Sequence, residues 1–402
     1  MLGLALEGGG AKGAFHMGAV KAFIDEGYIF DGVAGTSIGA LNGAIIAQGD
    51  FELGYQWWEE MDTSILFDIE KIHIEKYMNK KINKEVLRFW ASVVKDIIGN
   101  RGLDTKKIRE TLNTVINEEK LRQSKTDFGI VTVSVSDWKP LELFKEDIPE
   151  GKMVDYLMAS ANFPAFRIEP IEGKYYIDGG FYDNCPINLL SRKGYKDIIA
   201  IRTMGMGRIR KVEDEQVRVT SIFPSEDLGR ILIFDNNLIR ENLKMGYCDA
   251  MRTIKGLNGR KYYIQSFEDE NIFFKSLLSV PDKAISDIGV LMGLPQMEPK
   301  KMLFEKIVPN LSQMLGLPNT SSYQDIMIGV LEQMAQTREI EKYKVRSITG
   351  FLWEIKKARH QKNIPDDSLA QSDKATVKTS AKRLKGRVVE KAGEEFLKVL
   401  TL

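Results

Sequence analysis

The chain opens with two apolar runs that each break into a glycine-bearing turn and then a helical pattern. This repeated order constrains the fold more than any other feature. The first run, Leu2 to Leu6, leads into four glycines within the six residues Gly8 to Gly13. Behind them Phe15, Ala19, Ala22 and Phe23 trace a helical stripe over Ala14 to Glu26 that Gly27 closes. The second run, Phe30 to Ala34, leads into "GTSIG" and a helix expected over Leu41 to Gln48, with Gly49 as its cap. Alternating strands and helices predict a layered α/β fold around a mostly parallel sheet. A glycine turn between strand and helix also bares backbone N–H groups at a helix N-terminus, where negative charge is stabilised.

Strand signals return at "FGIVTVSVS" (128–136) and "PLELF" (140–144), then at "YYIDGG" (175–180) and "DIIAIR" (197–202), with a helix around Met153 to Ala161. Residues 51 to about 125 differ in character. Phe51, Trp57, Trp58, Phe67, Phe89 and Trp90 lie in long charged segments, with a lysine-rich stretch from Lys71 to Lys84, and read as a helical insertion. Beyond about residue 265 helical periodicity prevails. The expected organisation is an α/β domain over 1–265, a helical accessory region over 266–362, and a linker with a C-terminal helix over 363–402. That last helix carries Val377, Ala381, Leu384, Val388, Ala392, Phe396 and Val399 on one stripe and a crowd of lysines and arginines at its start. It suits either a membrane surface or docking on its own protein.

Composition narrows the function classes. The 402 residues are 43% hydrophobic, enough for a large core, and the net charge of +1 favours no nucleic acid. Cys185 and Cys248 form no CxxC pair and read as core residues in a reducing compartment. The first strand signal starts at the second residue, so no classical signal peptide is read. No apolar run approaches about 18 residues, so no membrane span is predicted and the cytoplasm is the expected location.

The first turn satisfies G-x-G-x-x-G through Gly8, Gly10 and Gly13. A dinucleotide site would also place an acidic residue at the end of the second strand, and here that strand meets Gly35-Thr36-Ser37-Ile38-Gly39. G-x-S-x-G on a strand-to-helix turn is the pattern of a nucleophile elbow. Small residues two positions either side of the serine let strand and helix pass closely. The two turns end neighbouring strands and so share one sheet edge. Ser37 can attack an acyl carbonyl there while N–H groups of Gly9, Gly10 and Ala11 hold the oxyanion, each donor contributing about 3–4 kcal/mol.

A serine nucleophile needs a base. The three histidines sit in unpromising contexts: His16 inside the first helix, His73 in the charged insertion, His360 in a basic helix far downstream. Asp178 ends a strand where two glycines turn the chain, and a carboxylate bonded directly to a serine hydroxyl can take its proton. A histidine-dependent α/β-hydrolase using His360 and a nucleotide-binding scaffold without catalysis remain open on these residues alone. Trp57, Trp58, Ile65, Leu66 and Phe67 suit an acyl channel or lid, although aromatic stripes of this kind more often form core.

The sequence resembles the patatin-like phospholipase family through four elements in order: "GGGAKG" (8–13), "GTSIG" (35–39), "ASANFPAFRIEP" (159–170) and "DGGFYDNCPI" (178–187). "MGYCDA" (245–250) resembles the family's later glycine-tyrosine element. The resemblance implies a three-layer α/β/α fold and a Ser-Asp dyad falling on Ser37 and Asp178. It also implies an oxyanion hole from Gly8, Gly9, Gly10, Ala11, Lys12 and Gly13, with Gly35 and Gly39 framing the nucleophile. The implied activity is hydrolysis of phospholipid or lysophospholipid esters with no metal or other cofactor, and the C-terminal basic helix adds peripheral membrane association as one expectation. Lys12 stands where the family often carries arginine, which removes bidentate geometry. Asn184 and Pro186 match the family and read as supports for Asp178.

Overall fold

Every residue of β1 (Leu2–Leu6) after the first is buried, as in a strand covered on both faces. It pairs in parallel with β2 (Gly32–Thr36) on one side and β6 (Asp197–Ile201) on the other. The sheet continues outward to β3 (Asp127–Ser134) and the antiparallel β4 (Lys139–Phe144) at one edge, and to β7 (Arg218–Ile222) at the other. A short seventh strand, β5 (Tyr176–Asp178), pairs antiparallel with β3. These coordinates are a computed structural model that describes residues 1–61, 104–164, 166, 169–267, 271–361 and 377–400. The chain divides into two compact units, Met1–Ile254 and Lys255–Leu402.

Alternation along the strands sorts the side chains into two layers. Ala5, Ala34, Val131, Ile198 and Ala200 face Ile187, Leu189 and Leu190 of α7 (Ile187–Lys193). On the other face Gly43 of α2 (Ile38–Ala47) lies over Leu6, Val33 and Phe128, with α1 (Ala14–Asp25) and α3 (Phe51–Glu60) packed beside it. Helix, sheet and helix make the three expected layers. Both cysteines are buried.

β2 runs two residues further than the expected Phe30 to Ala34, because Thr36 still pairs with Val131 while Phe30 packs edge-on against Phe23 ahead of the strand. α2 accordingly begins at Ile38 rather than Leu41, immediately after Ser37. β7 was not anticipated. It is an edge strand whose residues are mostly open to solvent, so its apolar alternation is weak. The segment read as a helical insertion is helical where described, in α3, α4 (Lys106–Val115) and α5 (Glu118–Gln123). Ile65, Leu66, Phe67, His73, the stretch Lys71 to Lys84, Phe89 and Trp90 lie outside the described residues. The first unit is completed by α6 (Met153–Ser160) and by α8 (Asn236–Lys255), whose Gly246 meets α1 backbone at Phe15.

The second unit is helical apart from the two-residue ladder of β8 (Tyr263–Ile264) with β9 (Val345–Arg346). Its helices are α9 (Ile272–Leu278), α10 (Asp282–Leu291), α11 (Pro299–Met302), α12 (Val308–Leu315), α13 (Tyr323–Thr337), α14 (Ile348–Gln361) and α15 (Val377–Val399). Val388, Ala392 and Phe396 of α15 are buried in the same core as Leu331 and Met334 of α13. Buried Arg338 holds the helix in place, donating to Glu390 at 2.7 Å and Glu394 at 2.5 Å. The middle of the stripe therefore docks on its own unit, whereas Leu384 is 48% exposed. Among the described residues no helix is long and apolar enough to cross a membrane.

Candidate active site

One edge of β3 receives two strands in succession. β2 pairs with it as far as Thr36 opposite Val131, and β5 takes over at Asp178 opposite Thr132. At this handover the residue after β2, Ser37, meets the last residue of β5, Asp178. Register alone thus joins two residues 141 positions apart (178 minus 37).

Ser37 is held at φ 57° and ψ −128°, a conformation that costs a residue with a Cβ about 1–3 kcal/mol. The surrounding glycines enforce it. A Cβ on Gly35 would lie 2.1 Å from the Gly39 carbonyl oxygen, and one on Gly39 would lie 2.3 Å from that of Leu6. The Ser37 N–H donates to Ser160 Oγ (3.1 Å), which in turn donates to the Val131 carbonyl (2.7 Å). Ser160, from α6, thereby pins the strained amide to the central sheet.

Asp178 is 6% exposed. Burial pushes its carboxyl up to about 6, opposed by the Ser37 side chain and by the Gly180 N–H, which donates to Oδ1 at 2.8 Å. A carboxylate with that affinity holds a proton weakly at neutral pH and accepts one in passing, which suits a general base. Asp183 nearby is also raised to about 6 by burial, but its groups serve structure: its carbonyl accepts from the Thr36 hydroxyl (2.8 Å) and Oδ1 from the Cys185 N–H (3.3 Å).

The first glycine turn is braced from three sides. The Gly8 N–H donates to the Asn184 carbonyl (2.9 Å), while the Gly8 carbonyl accepts from Asn184 Nδ2 (3.3 Å) and Thr203 Oγ1 (2.6 Å). Asn184 therefore supports this turn and meets the Asp178 turn only by packing against Gly180. Of the donors expected to face an oxyanion, Ala11 N–H is bonded to the Ile231 carbonyl (2.7 Å) and Lys12 N–H to that of Gly9 (3.2 Å). The Gly9 and Gly10 N–H groups have no acceptor among the described residues, and Gly10, at φ 57°, lines the same cavity as Ser37. The Gly13 carbonyl accepts from Asn42 Nδ2 (2.9 Å), and Lys12 Nζ donates to the Met204 carbonyl (3.4 Å).

His16 is fully buried, and burial lowers its pKa to about 3, so its ring is neutral; Nδ1 lies 3.3 Å from Asn42 Nδ2. His73 lies outside the described residues, and His360 falls on α14 in the second unit, its side chain not described.

An apolar cavity opens onto Ser37 and Gly10. Its walls include Trp57, Met61, Leu112, Phe163, Phe166 and Phe234. Trp57 faces the cavity as an acyl channel requires, while its neighbour Trp58 is core, its Nε1 donating to Asn42 Oδ1 (2.9 Å). Sequence reasoning missed Ser160, Thr203 and the wall formed by Ile231 to Phe234. The first had a signal, since Ser160 lies within the "ASANFPAF" element whose Asn162, Phe163 and Phe166 also line the cavity.

A mostly parallel α/β sheet thus carries a serine elbow in front of an apolar cavity. Residues 4–191, a little under half of the chain, match the family described as "Patatin-like phospholipase". Over 214 residues the chain is 27% identical to the neuropathy target esterase sws of Drosophila melanogaster, and over 209 residues 26% identical to the lysophospholipase NTE1 of Mycosarcoma maydis. Each match covers 50% of this chain but only 13% and 9% of those proteins. The crystal structure of VipD from Legionella pneumophila aligns over 98% of this chain and 85% of that one, at 14% identity and a TM-score of 0.39.

Proposed function

We propose that Ser37 and Asp178 form a two-residue acyl-transfer centre that hydrolyses ester bonds of phospholipids or lysophospholipids. The observation that carries this reading is the meeting of a strained serine and a raised, buried carboxylate at the β2–β5 handover, open to an apolar cavity. Asp178 takes the Ser37 hydroxyl proton as Oγ bonds to the ester carbonyl carbon. The Gly9 and Gly10 N–H groups donate to the tetrahedral oxyanion. The carbon–oxygen bond to the alcohol breaks, the alcohol leaves with the proton from Asp178, and the acyl group remains on Ser37. Asp178 then takes a proton from water, the hydroxide attacks the acyl-serine, and the fatty acid departs as Ser37 regains its proton.

The apolar lining of the cavity suits an acyl chain. The neutral, buried His16, engaged with Asn42, supports a dyad without histidine. Substrate would be reached from one face of a bilayer, as a peripheral protein. A fluorophosphonate probe tests the reading. Mass spectrometry should place the label on Ser37 alone, and lysophosphatidylcholine should yield free fatty acid. Absence of both from folded protein overturns it.

A further inference from the structure

A lipid hydrolase has to meet its substrate at an interface, and the C-terminal stripe, which suited either a membrane surface or docking on its own protein, is buried from Val388 to Phe396 in the second unit's core. The first unit exposes other apolar groups. β1, β2, β3, β6 and β7 are parallel, so the residues following each lie at one sheet edge, the edge that carries the Gly8 turn and Ser37. Trp138, in the hairpin that leaves β3, is 82% exposed. Tyr175, just ahead of β5, is exposed beside it, its carbonyl accepting from the Val135 N–H (2.9 Å). Beyond the catalytic turns, Met204 and Met206 follow β6 and Phe223 follows β7, all exposed.

These residues flank the site in strand order, with Trp138 and Tyr175 on one side and the methionines and Phe223 on the other. Trp138 and Met204 are both held at φ 51°, a conformation side chains rarely adopt, so the backbone is specified where they protrude. The segment bearing the methionines is tied to the machinery: the Met204 N–H donates to Glu7 Oε2 (3.3 Å), and the Arg208 N–H to the Gly180 carbonyl (2.8 Å). Cationic side chains lie among them. Lys12 reaches only the Met204 carbonyl, and the exposed Arg208 guanidinium has no ion-pair partner among the described residues.

We infer that this edge of the catalytic unit seats on a phospholipid surface, with Trp138, Tyr175, Met204, Met206 and Phe223 entering the interface and Lys12 and Arg208 facing lipid phosphates. The inference rests on the proposed lipid hydrolysis and names the surface that delivers it. Separate protruding side chains interleaved with glycine and cations suit a fluid interface, where tryptophan and tyrosine favour the headgroup depth. A protein partner needs a contiguous, shape-complementary area instead. Docking here also puts the elbow against the layer from which an acyl chain must enter the cavity.

Ser37→Ala protein, which cannot consume the lipid, should be sedimented with vesicles of phosphatidylcholine and phosphatidylglycerol. Adding Trp138→Ser and Met206→Ser should lower the bound fraction's partition coefficient by about tenfold or more. Adding Ile29→Ser, at the opposite sheet edge and 79% exposed, should leave it within about twofold. Three results overturn the inference: no vesicle binding by the parent, equal loss from Ile29→Ser, or unchanged binding with a shift in oligomeric state, which would mark a protein interface. The single variants Trp138→Phe and Phe223→Ser give intermediate losses and guard against misfolding. In otherwise unmutated protein, Ser37-dependent cleavage of a soluble short-chain ester separates the two readings. If it persists while the surface variants bind vesicles normally, the docking face is wrong and the hydrolase reading stands; if no ester is cleaved, the hydrolase reading itself fails.

Discussion

The two units resolve their local conflicts differently. In the helical unit, buried charges are met by partners. Arg338 is shared between Glu390 and Glu394, Arg346 donates to Glu354 at 2.8 Å, and buried Glu332 accepts N–H bonds from Arg260, Lys261 and Tyr262 at 2.8 to 2.9 Å. Only Glu339 there, among the described residues, is a non-glycine at positive φ. The α/β unit holds four such residues, Ser37, Trp138, Glu172 and Met204, and two buried aspartates raised to about 6. Strain and reluctant charge persist where the remaining structure over-determines them, and at Ser37 and Asp178 they coincide with the proposed acyl-transfer centre. The helical unit pairs its buried charges; the α/β unit is built around an exception.

The largest test of that contrast removes the exception. Ser37→Ala and Asp178→Asn should each lower turnover of a lysophospholipid by about a thousandfold or more, because each removes a group on which the bond-making step depends. His16→Gln, His73→Gln and His360→Gln together should keep most of it. Loss of activity in a folded triple variant would sink the dyad. Next in size is Gly39→Ala. Its Cβ would meet the Leu6 carbonyl, so β1 or α2 must shift, with a stability loss of about 2–4 kcal/mol by thermal melting and activity falling with it.

The buried carboxylate makes stability and activity run in opposite directions with pH. The folded pKa of Asp178, about 6, exceeds its unfolded value near 3.8, so the folded state holds its proton longer as pH rises. Stability is therefore lost between about pH 4 and 6, while the fraction of base ready to act grows through about pH 6. Asp178→Asn should abolish turnover yet raise stability at pH 8 by on the order of 2–3 kcal/mol relative to the unsubstituted protein, an advantage that vanishes below about pH 4. An unchanged stability difference across that range would mean that the aspartate is not buried as a charge.

What could be read from the sequence divides along the same line. The elbow and the glycine turns are local: a backbone that must bend tightly or approach another admits few residue types, so "GTSIG" and "DGG" announce themselves. Ser160, Thr203 and the pairing of Asn184 with Gly8 are products of register. Nothing near Thr203 in the chain says that it will stand 2.6 Å from the Gly8 carbonyl. The cavity wall was illegible for another reason, since Trp57 and Trp58 are adjacent and chemically alike, yet one lines the cavity and the other fills the core. Helical periodicity cannot distinguish an apolar side chain that packs from one that lines a space.

Ser160 links these levels and sets a smaller expectation. Ser160→Ala removes the acceptor of the Ser37 N–H and the donor to the Val131 carbonyl without touching substrate. The elbow keeps its glycine clasp, so the protein should fold with a loss of about 1 kcal/mol and kcat should fall about tenfold with KM little changed. Ser160→Thr, which keeps the hydroxyl, should recover part of kcat. A loss confined to stability would make Ser160 structural only.

The smallest effect comes from the helical unit and has the opposite sign. Gly386 lies in the interior of α15, exposed, and a Cβ built there meets nothing within 4 Å. No close approach requires glycine at that position, so Gly386→Ala should stabilise the protein by up to about 1 kcal/mol through helix propensity alone. The same substitution at Gly39 destabilises because the backbone of β1 occupies the space. Measured by melting, the pair compares one chemical change in a unit that tolerates improvement and in a unit where the tight place holds the proposed nucleophile. Destabilisation at both sites would mean that α15 carries a constraint at Gly386 that its packing does not display, and the contrast between the units would be weaker than their cores indicate.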